Sequence, residues 1–157
     1  MSIEKVRAYF AGASIPNQIL EFEESSATVA LAASAIGTEP CRIAKTMSFL
    51  IRDRAIVVVL AGDRRVDNKK FKEVFLTKAK MISYDEVEEY TGHAPGGVCP
   101  FALKEGVDVY LDTSLCRFTS VFPAAGSSNS AVKMTVAELE IYSGAVGYVD
   151  VSKVIEE

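Results

Sequence analysis

The sequence predicts an α+β fold: one domain over residues 1–157, with helices around a mixed, curved, barrel-like β-sheet. The run Ala55-Ile56-Val57-Val58-Val59-Leu60-Ala61 has no polar alternation, so it is expected to be a central strand covered on both faces. Segments with a helical apolar period are interspersed irregularly with hairpin-like pairs, which argues against a regular strand–helix alternation. At 157 residues, with 49% hydrophobic and 24% charged side chains, the chain carries enough apolar material for one full core.

The elements follow in order. Ser2 is placed to cap a first helix in which Ile3, Val6, Phe10 and Ala13 share a face, and Ile19-Leu20-Glu21-Phe22 reads as a short strand. Thr28 caps an alanine-rich second helix that Gly37 stops. A hairpin comes next, residues 46–51 and 55–61 joined through Arg52-Asp53-Arg54. Asp67 or Asn68 opens a third helix carrying Phe71, Val74 and Phe75, and Ser83-Tyr84-Asp85-Glu86 has the capping-box pattern for a fourth that ends at Gly92. Val107-Asp108-Val109-Tyr110-Leu111 alternates as a strand, and residues 118–122 and 131–134 form a strand pair around Gly126-Ser127-Ser128-Asn129. Thr135-Val136-Ala137-Glu138 repeats the capping box, and Gly144 ends the last helix.

Composition excludes several classes of function. No apolar run reaches the ~20 residues that span a bilayer, since Asp53, Arg54 and Asp63 interrupt the richest region. The start, Met1-Ser2-Ile3-Glu4-Lys5-Val6, lacks the pattern of a secretion signal, so a cytoplasmic location is expected. Cys41, Cys99 and Cys116 are odd in number and widely spaced, and there is one histidine, which argues against a disulfide framework, a zinc site or any other metal or cofactor requirement. The net charge of -4 disfavours nucleic acid as a partner, but the charge is uneven. Between Arg64 and Lys80 stand Arg64, Arg65, Lys69, Lys70, Lys72, Lys78 and Lys80 against only Asp67 and Glu73. Such a patch either holds a phosphate backbone or is a solvated helix face.

Two segments carry candidate chemistry. In Arg42-Ile43-Ala44-Lys45-Thr46-Met47-Ser48-Phe49, the residues Met47, Phe49 and Ile51 share an apolar face, and Lys45 marks where the strand emerges. A cation fixed there can meet an anion, or simply snorkel to water. In Gly92-His93-Ala94-Pro95-Gly96-Gly97-Val98-Cys99-Pro100-Phe101, glycines and prolines rule out helix or central strand, and Gly96-Gly97 lets backbone amides approach a ligand unobstructed. Cys99 and His93 lie in this one loop and raise the alternative of a thiol nucleophile with an imidazole base, although no Asn or Asp is placed to orient the ring. Cys41 and Cys116 read as packing residues.

Together, the Ile43-Ala44-Lys45-Thr46 segment, the Gly96-to-Pro100 loop and the Ala125-Gly126 turn before Val132-Lys133-Met134 resemble the YbaK/ProX family of freestanding aminoacyl-tRNA deacylases. The domain of that family is also inserted in bacterial prolyl-tRNA synthetases as an editing module. The resemblance implies the same α+β architecture and hydrolysis of mischarged aminoacyl-tRNA, most plausibly tRNA for proline carrying a smaller residue such as alanine or cysteine. It implies Lys45 as the residue tied to activity, engaging the terminal adenosine or the ester. A ribose hydroxyl beside the ester would help activate water, and no protein nucleophile is needed. Thr46, Ser48, Gly96, Gly97, Val98, Cys99, Pro100, Gly126 and Ser127 are the candidate substrate-binding residues, with Cys99 shaping the amino-acid pocket. For the turn at Ser127, Ser128 and Asn129, a wall of the site and a plain hairpin turn both remain open. Arg64, Arg65, Lys69 and Lys70 are the candidate tRNA contacts; prolyl-tRNA synthetase is a candidate partner, while DNA and membrane are not. The rival readings are a non-catalytic aminoacyl-tRNA or synthetase binding module, and an ester or thioester hydrolase using Cys99.

Overall fold

The computed structural model describes residues 2–155. Its axis is the hairpin of β2 (Ile43–Ile51) and β3 (Arg54–Ala61), paired antiparallel over its whole length. The connection is two residues, Arg52 and Asp53, both at positive φ (48° and 68°), the pairing of conformations that a type I′ hairpin turn requires. Arg54 thus belongs to the strand and not to the turn, and β2 begins three residues earlier than the sequence pattern suggests.

The six-stranded sheet runs β8-β6-β2-β3-β5-β9. Here β5 is Asp108–Asp112, β6 Ser120–Pro123, β8 Met134–Thr135 and β9 Gly147–Val149. β3 lies at the centre, parallel to β5, and every residue from Ala55 to Ala61 is buried, as its uninterrupted apolar sequence requires. Its alternate side chains feed two cores. Val57, Val59 and Ala61 join Val6 and Phe10 of α1 (Ser2–Gly12), Phe101 and Leu139. Ile56 and Val58 face Phe49, Phe71 and Val151, with Met47 and Ile51 packed alongside. Helices therefore close both sides of an α+β sheet that curls around the larger core.

Local chemistry fixes the flanking elements. Ile3, Val6 and Phe10 are buried from α1, and the Phe10 ring meets Phe101 edge-on at 5.2 Å. Ala13 lies past the helix end and is exposed, its place taken by Ile15; the predicted Ser2 cap involves a side chain outside the described ones. β1 (Ile19–Glu21) pairs with β7 (Ser130–Val132). The Thr28 hydroxyl accepts from Leu31 N–H at the start of α2 (Val29–Ile36), and Gly37, at φ 82°, closes it. The Asp67 carboxylate accepts from Lys69 and Lys70 N–H to start α3 (Asn68–Phe75), which buries Phe71 between Phe49 and Phe75; Val74 is exposed. Thr135 and Glu138 form the predicted reciprocal box at the start of α5 (Val136–Tyr142), which is capped at Ser143, one residue before Gly144.

Some elements depart from the sequence pattern. The Ser83 hydroxyl donates to the Glu86 carboxylate (2.9 Å) and Ser83 C=O accepts from Glu86 and Val87 N–H, so this segment is a turn. The helix behind it, α4, is only Val87–Thr91, closed by Gly92. Residues 131–132 pair mainly with β1, leaving β8 to complete the strand pair with β6. β4 (Arg64–Val66), β10 (Ser152–Val154), β9 and the 3-10 turns Pro40–Arg42 and Thr113–Arg117 carried no readable periodicity, each being five residues or fewer.

The C-terminal segment is locked by one buried carboxylate. Asp112 accepts from Ser114 N–H (3.0 Å), Val151 N–H (2.9 Å) and the Ser152 hydroxyl (2.7 Å). Asp112→Ala leaves these donors unpaired in the interior at ~1–3 kcal/mol each. A loss of about 3 kcal/mol or more in urea unfolding is expected, and a variant within 1 kcal/mol of wild type would show that the segment is held by other contacts.

Candidate functional site

The ladder between β2 and β6 is short: Ile43 pairs with Phe122 and Ala44 with Pro123, and there it stops. Farther along the same edge, Leu50 N–H reaches Lys80 C=O and Ser48 C=O accepts from Ile82 N–H. The intervening stretch, Lys45 to Met47, is an open strand edge between two covered parts of β2. Thr46 has the parity of Ser48 and Leu50, so its main-chain N–H and C=O project from this open edge.

A cavity of about 360 Å³ lies on that edge. It is lined by Lys45, Thr46 and Met47 of β2, by Ala32 and the start of α2, by Gly96 and Val98 of the glycine loop, and by Phe122, Ala124 and Ala131. Most of the lining is apolar, and half of it is alanine, glycine or valine. The Lys45 ammonium has no hydrogen bond or ion pair among the described residues, and burial pulls its pKa down from the ordinary lysine value, with Asp63 acting weakly in the other direction. The Thr46 hydroxyl is likewise shielded from solvent and unpartnered. A half-buried cation with no partner is an arrangement that an anionic ligand would satisfy.

The glycine loop reaches the cavity because of its backbone. Gly97 N–H donates to Ala94 C=O (3.0 Å), closing a turn with Pro95 and Gly96 at its centre, and Gly96 sits at φ 84° as a type II turn demands. Gly97 then packs against the backbone of Gly126 and Ser127, where a Cβ would come within 2.9 Å of Ser127 Cα. Gly97 N–H is spent in the turn, whereas Gly96 and Val98 N–H have no partner among the described residues and remain available.

Of the residues singled out from sequence, the structure thus brings Lys45, Thr46, Gly96 and Val98 together around one cavity. Lys45 is the third residue of a nine-residue strand, and stands where β6 leaves it. Ser48 is buried farther along β2, and Gly97, Gly126 and Ser127 form the layer behind the loop. Ser127 bonds Ser130 (2.6 Å) and Asn129 bonds Phe22 C=O (2.9 Å), so the turn anchors β1 and the segment leading to α2. Pro100 borders a separate depression beside Leu103 and Tyr142. Ser26, Thr28 and Ser130 also line the cavity; Thr28 is legible in sequence only as a helix cap.

Cys99 is fully buried behind the cavity wall, and burial pushes its thiol up to about 12. His93 Nε2 lies 2.7 Å from Phe101 C=O, which can only accept, so this nitrogen carries the proton. It is also the nitrogen facing Cys99 Sγ, at 3.5 Å, and therefore cannot serve the thiol as a base. The candidate tRNA contacts lie elsewhere, on β4 and the first turn of α3. Lys70 is tied to Asp150 (3.1 Å) and Ser152 C=O (2.9 Å), and Arg65 faces Lys153 across the β4–β10 ladder.

The chain is similar to known proteins along its length. It is 49% identical over 154 residues to the uncharacterised Bacillus subtilis protein YwhH, covering 98% of each. It is 29% identical over 101 residues to the proline–tRNA ligase of Caldicellulosiruptor bescii, of which it spans 17%. Its fold matches the crystal structure of a candidate trans-editing enzyme for prolyl tRNA synthetase with a TM-score of 0.88 at 27% identity, over 97% of both chains. Residues 23–141, which carry the open edge of β2, the glycine loop and the cavity between them, match the aminoacyl-tRNA editing domain. The chain belongs to that family.

Proposed function

We propose that the protein is a trans-acting aminoacyl-tRNA deacylase that removes a small amino acid mischarged onto tRNA, with tRNA for proline as the leading candidate. The observation that carries this reading is the half-buried Lys45 ammonium, without a hydrogen bond or ion pair among the described residues, in a small, largely apolar cavity. A cavity lined by Ala32, Ala44, Ala124 and Ala131 suits a short aliphatic side chain. The need for such an enzyme is physical: a site built for proline discriminates against a smaller residue by only ~1–3 kcal/mol per missing methylene.

In the proposed reaction, water adds to the ester carbonyl, and the resulting oxyanion is stabilised by Lys45 or by the free N–H groups of Gly96 and Val98. Collapse breaks the carbon–oxygen bond to the ribose, whose oxygen takes up a proton, releasing the amino acid and the tRNA. The vicinal ribose hydroxyl orients the water. Desolvation makes this cation effective, because among the described residues no carboxylate is bonded to it and a substrate oxyanion can take that place. Cys99 has no role in bond making, being protonated at neutral pH and separated from the cavity.

The direct test is release of amino acid from prolyl-tRNAs charged with alanine, cysteine, serine or 2-aminobutyrate. Turnover on at least one of them is expected, and none on any would overturn the deacylase reading. Lys45→Met should reduce that turnover at least a hundredfold, ~2.7 kcal/mol. The same variant should melt no lower than wild type: the folded chain holds the Lys45 proton less tightly than the unfolded chain does, so below the lowered pKa its charge opposes folding, an effect lost as pH rises through that pKa. A variant with near wild-type turnover would remove Lys45 from the mechanism.

The pH profile follows from the same shift. Activity corrected for spontaneous ester hydrolysis should fall on the alkaline side with a midpoint below lysine's usual value of about 10.4. A corrected rate that keeps rising through that range would mean that the charge of Lys45 is not needed. Cys99→Ala should keep kcat/KM on the best substrate within about tenfold, ~1.4 kcal/mol, and iodoacetamide should leave the native enzyme active. Uniform collapse of activity in a folded Cys99→Ala protein would restore the thiol mechanism.

A further inference from the structure

A second concavity, an open groove of about 560 Å³, adjoins the cavity, and the two share Phe122 as a common wall. Arg42, Arg117 and Lys133 line this groove together with Phe118 and the hydroxyl-bearing Thr38, Thr119 and Ser120, and no carboxylate is among the lining residues. Two guanidinium groups pack on one ring: Arg117 lies 4.8 Å from the Phe118 centroid and Arg42 lies 5.2 Å from it. Their electrostatic situations differ. Asp63 grips Arg117 through both oxygens (3.0 and 2.6 Å), and Ser114 C=O takes its Nε (2.9 Å), so Arg117 is compensated and rigid. The side chains of Arg42 and Lys133 have no hydrogen bond or ion pair among the described residues.

We propose that this groove binds the phosphate backbone at the acceptor end of the RNA whose ester occupies the cavity. The inference rests on the deacylase reading for the identity of that RNA. Arg42 immediately precedes β2, and Lys45 follows three residues later, about 10 Å along an extended strand. A ligand with its ester at Lys45 therefore passes its next phosphates over Arg42 and Lys133. Phe118 stiffens Arg42 without neutralising it, so little side-chain freedom is lost on binding. On a chain with a net charge of -4, a groove lined only by basic and neutral groups also draws a polyanion to this face. This places the main phosphate contacts beside the cavity, nearer than the Arg64-to-Lys70 cluster; Arg117 borders a further depression that reaches Arg64 and Lys70.

The test is binding of a fluorescein-labelled RNA hairpin ending in single-stranded CCA, followed by anisotropy across a salt series. Arg42→Ala with Lys133→Ala should weaken binding at least tenfold and flatten the slope of log K against log salt by one to two units, since each lost phosphate contact removes ~0.7–0.9. Arg54→Ala with Lys104→Ala removes equal charge, and Arg54 lies at the opposite end of the β2–β3 hairpin; this pair should bind within twofold of wild type. Lys133→Glu, a change at an exposed position, should weaken binding on its own and guards against a folding defect in the double variant. Equal weakening by both pairs, or wild-type affinity in the Arg42/Lys133 pair, would overturn the proposal, as would failure of the wild type to bind the hairpin at low salt. Because binding is read without hydrolysis, a protein that binds the hairpin as expected but releases no amino acid would refute the deacylase reading and leave the groove standing.

Discussion

The structure depends on the burial of β3. A strand with no polar side chain from Ala55 to Ala61 cannot face water on either side, so both of its faces need a layer of protein. One layer is built from α1, the segment around Phe101 and α5; the other from α3 and the C-terminal segment around Val151. Once β3 is central, β2 and β5 must flank it, and the remaining freedom lies at the outer edge of β2.

That edge is where the fold leaves itself incomplete. β6 covers it for two residue pairs and the segment around Met81 covers it farther on, so Lys45 to Met47, paired with β3 on one side, have no strand partner on this one. An open edge is ordinarily a liability for association. Here the start of α2 and the glycine loop roof it over and convert it into a cavity, in which unmet polar groups of β2 are shielded from bulk water. The lowered pKa of Lys45 reflects the same fact electrostatically: the cation is held where it is poorly solvated, and the pull of Asp63 does not make up for it.

The glycine loop shows how backbone geometry does work that side chains could not. Gly96 turns the chain at a φ that other residues resist, and Gly97 lets the loop lie flat on the 126–127 turn. That turn in turn holds β1 and the approach to α2 through Ser26, Asn129 and Ser127. Three segments distant in sequence are thus fixed around one cavity by close main-chain contact.

The amino-acid sequence by itself determined whatever depends on near neighbours. The Thr28, Asp67 and Thr135 caps, the Gly37 and Gly92 stops and the buried β3 follow from local hydrogen-bonding geometry and short-range periodicity, which survive in a one-dimensional reading. Lys45 and the Gly96–Gly97 loop were likewise legible one by one, because an isolated cation and paired glycines break an apolar pattern, while their pairing rested on the family resemblance. Tertiary structure alone decided which of those residues meet. Ser48 and Cys99 read as well as Thr46 and Val98 in sequence, yet Ser48 lies farther along β2, where the segment around Met81 covers the edge, and loop packing turns Cys99 into the interior. The short strands at residues 64–66, 147–149 and 152–154 have too few residues for a period to appear and exist through non-local pairing. The Arg42–Phe118–Lys133 groove gathers cations scattered singly along the chain, and only folding brings their charges into one field.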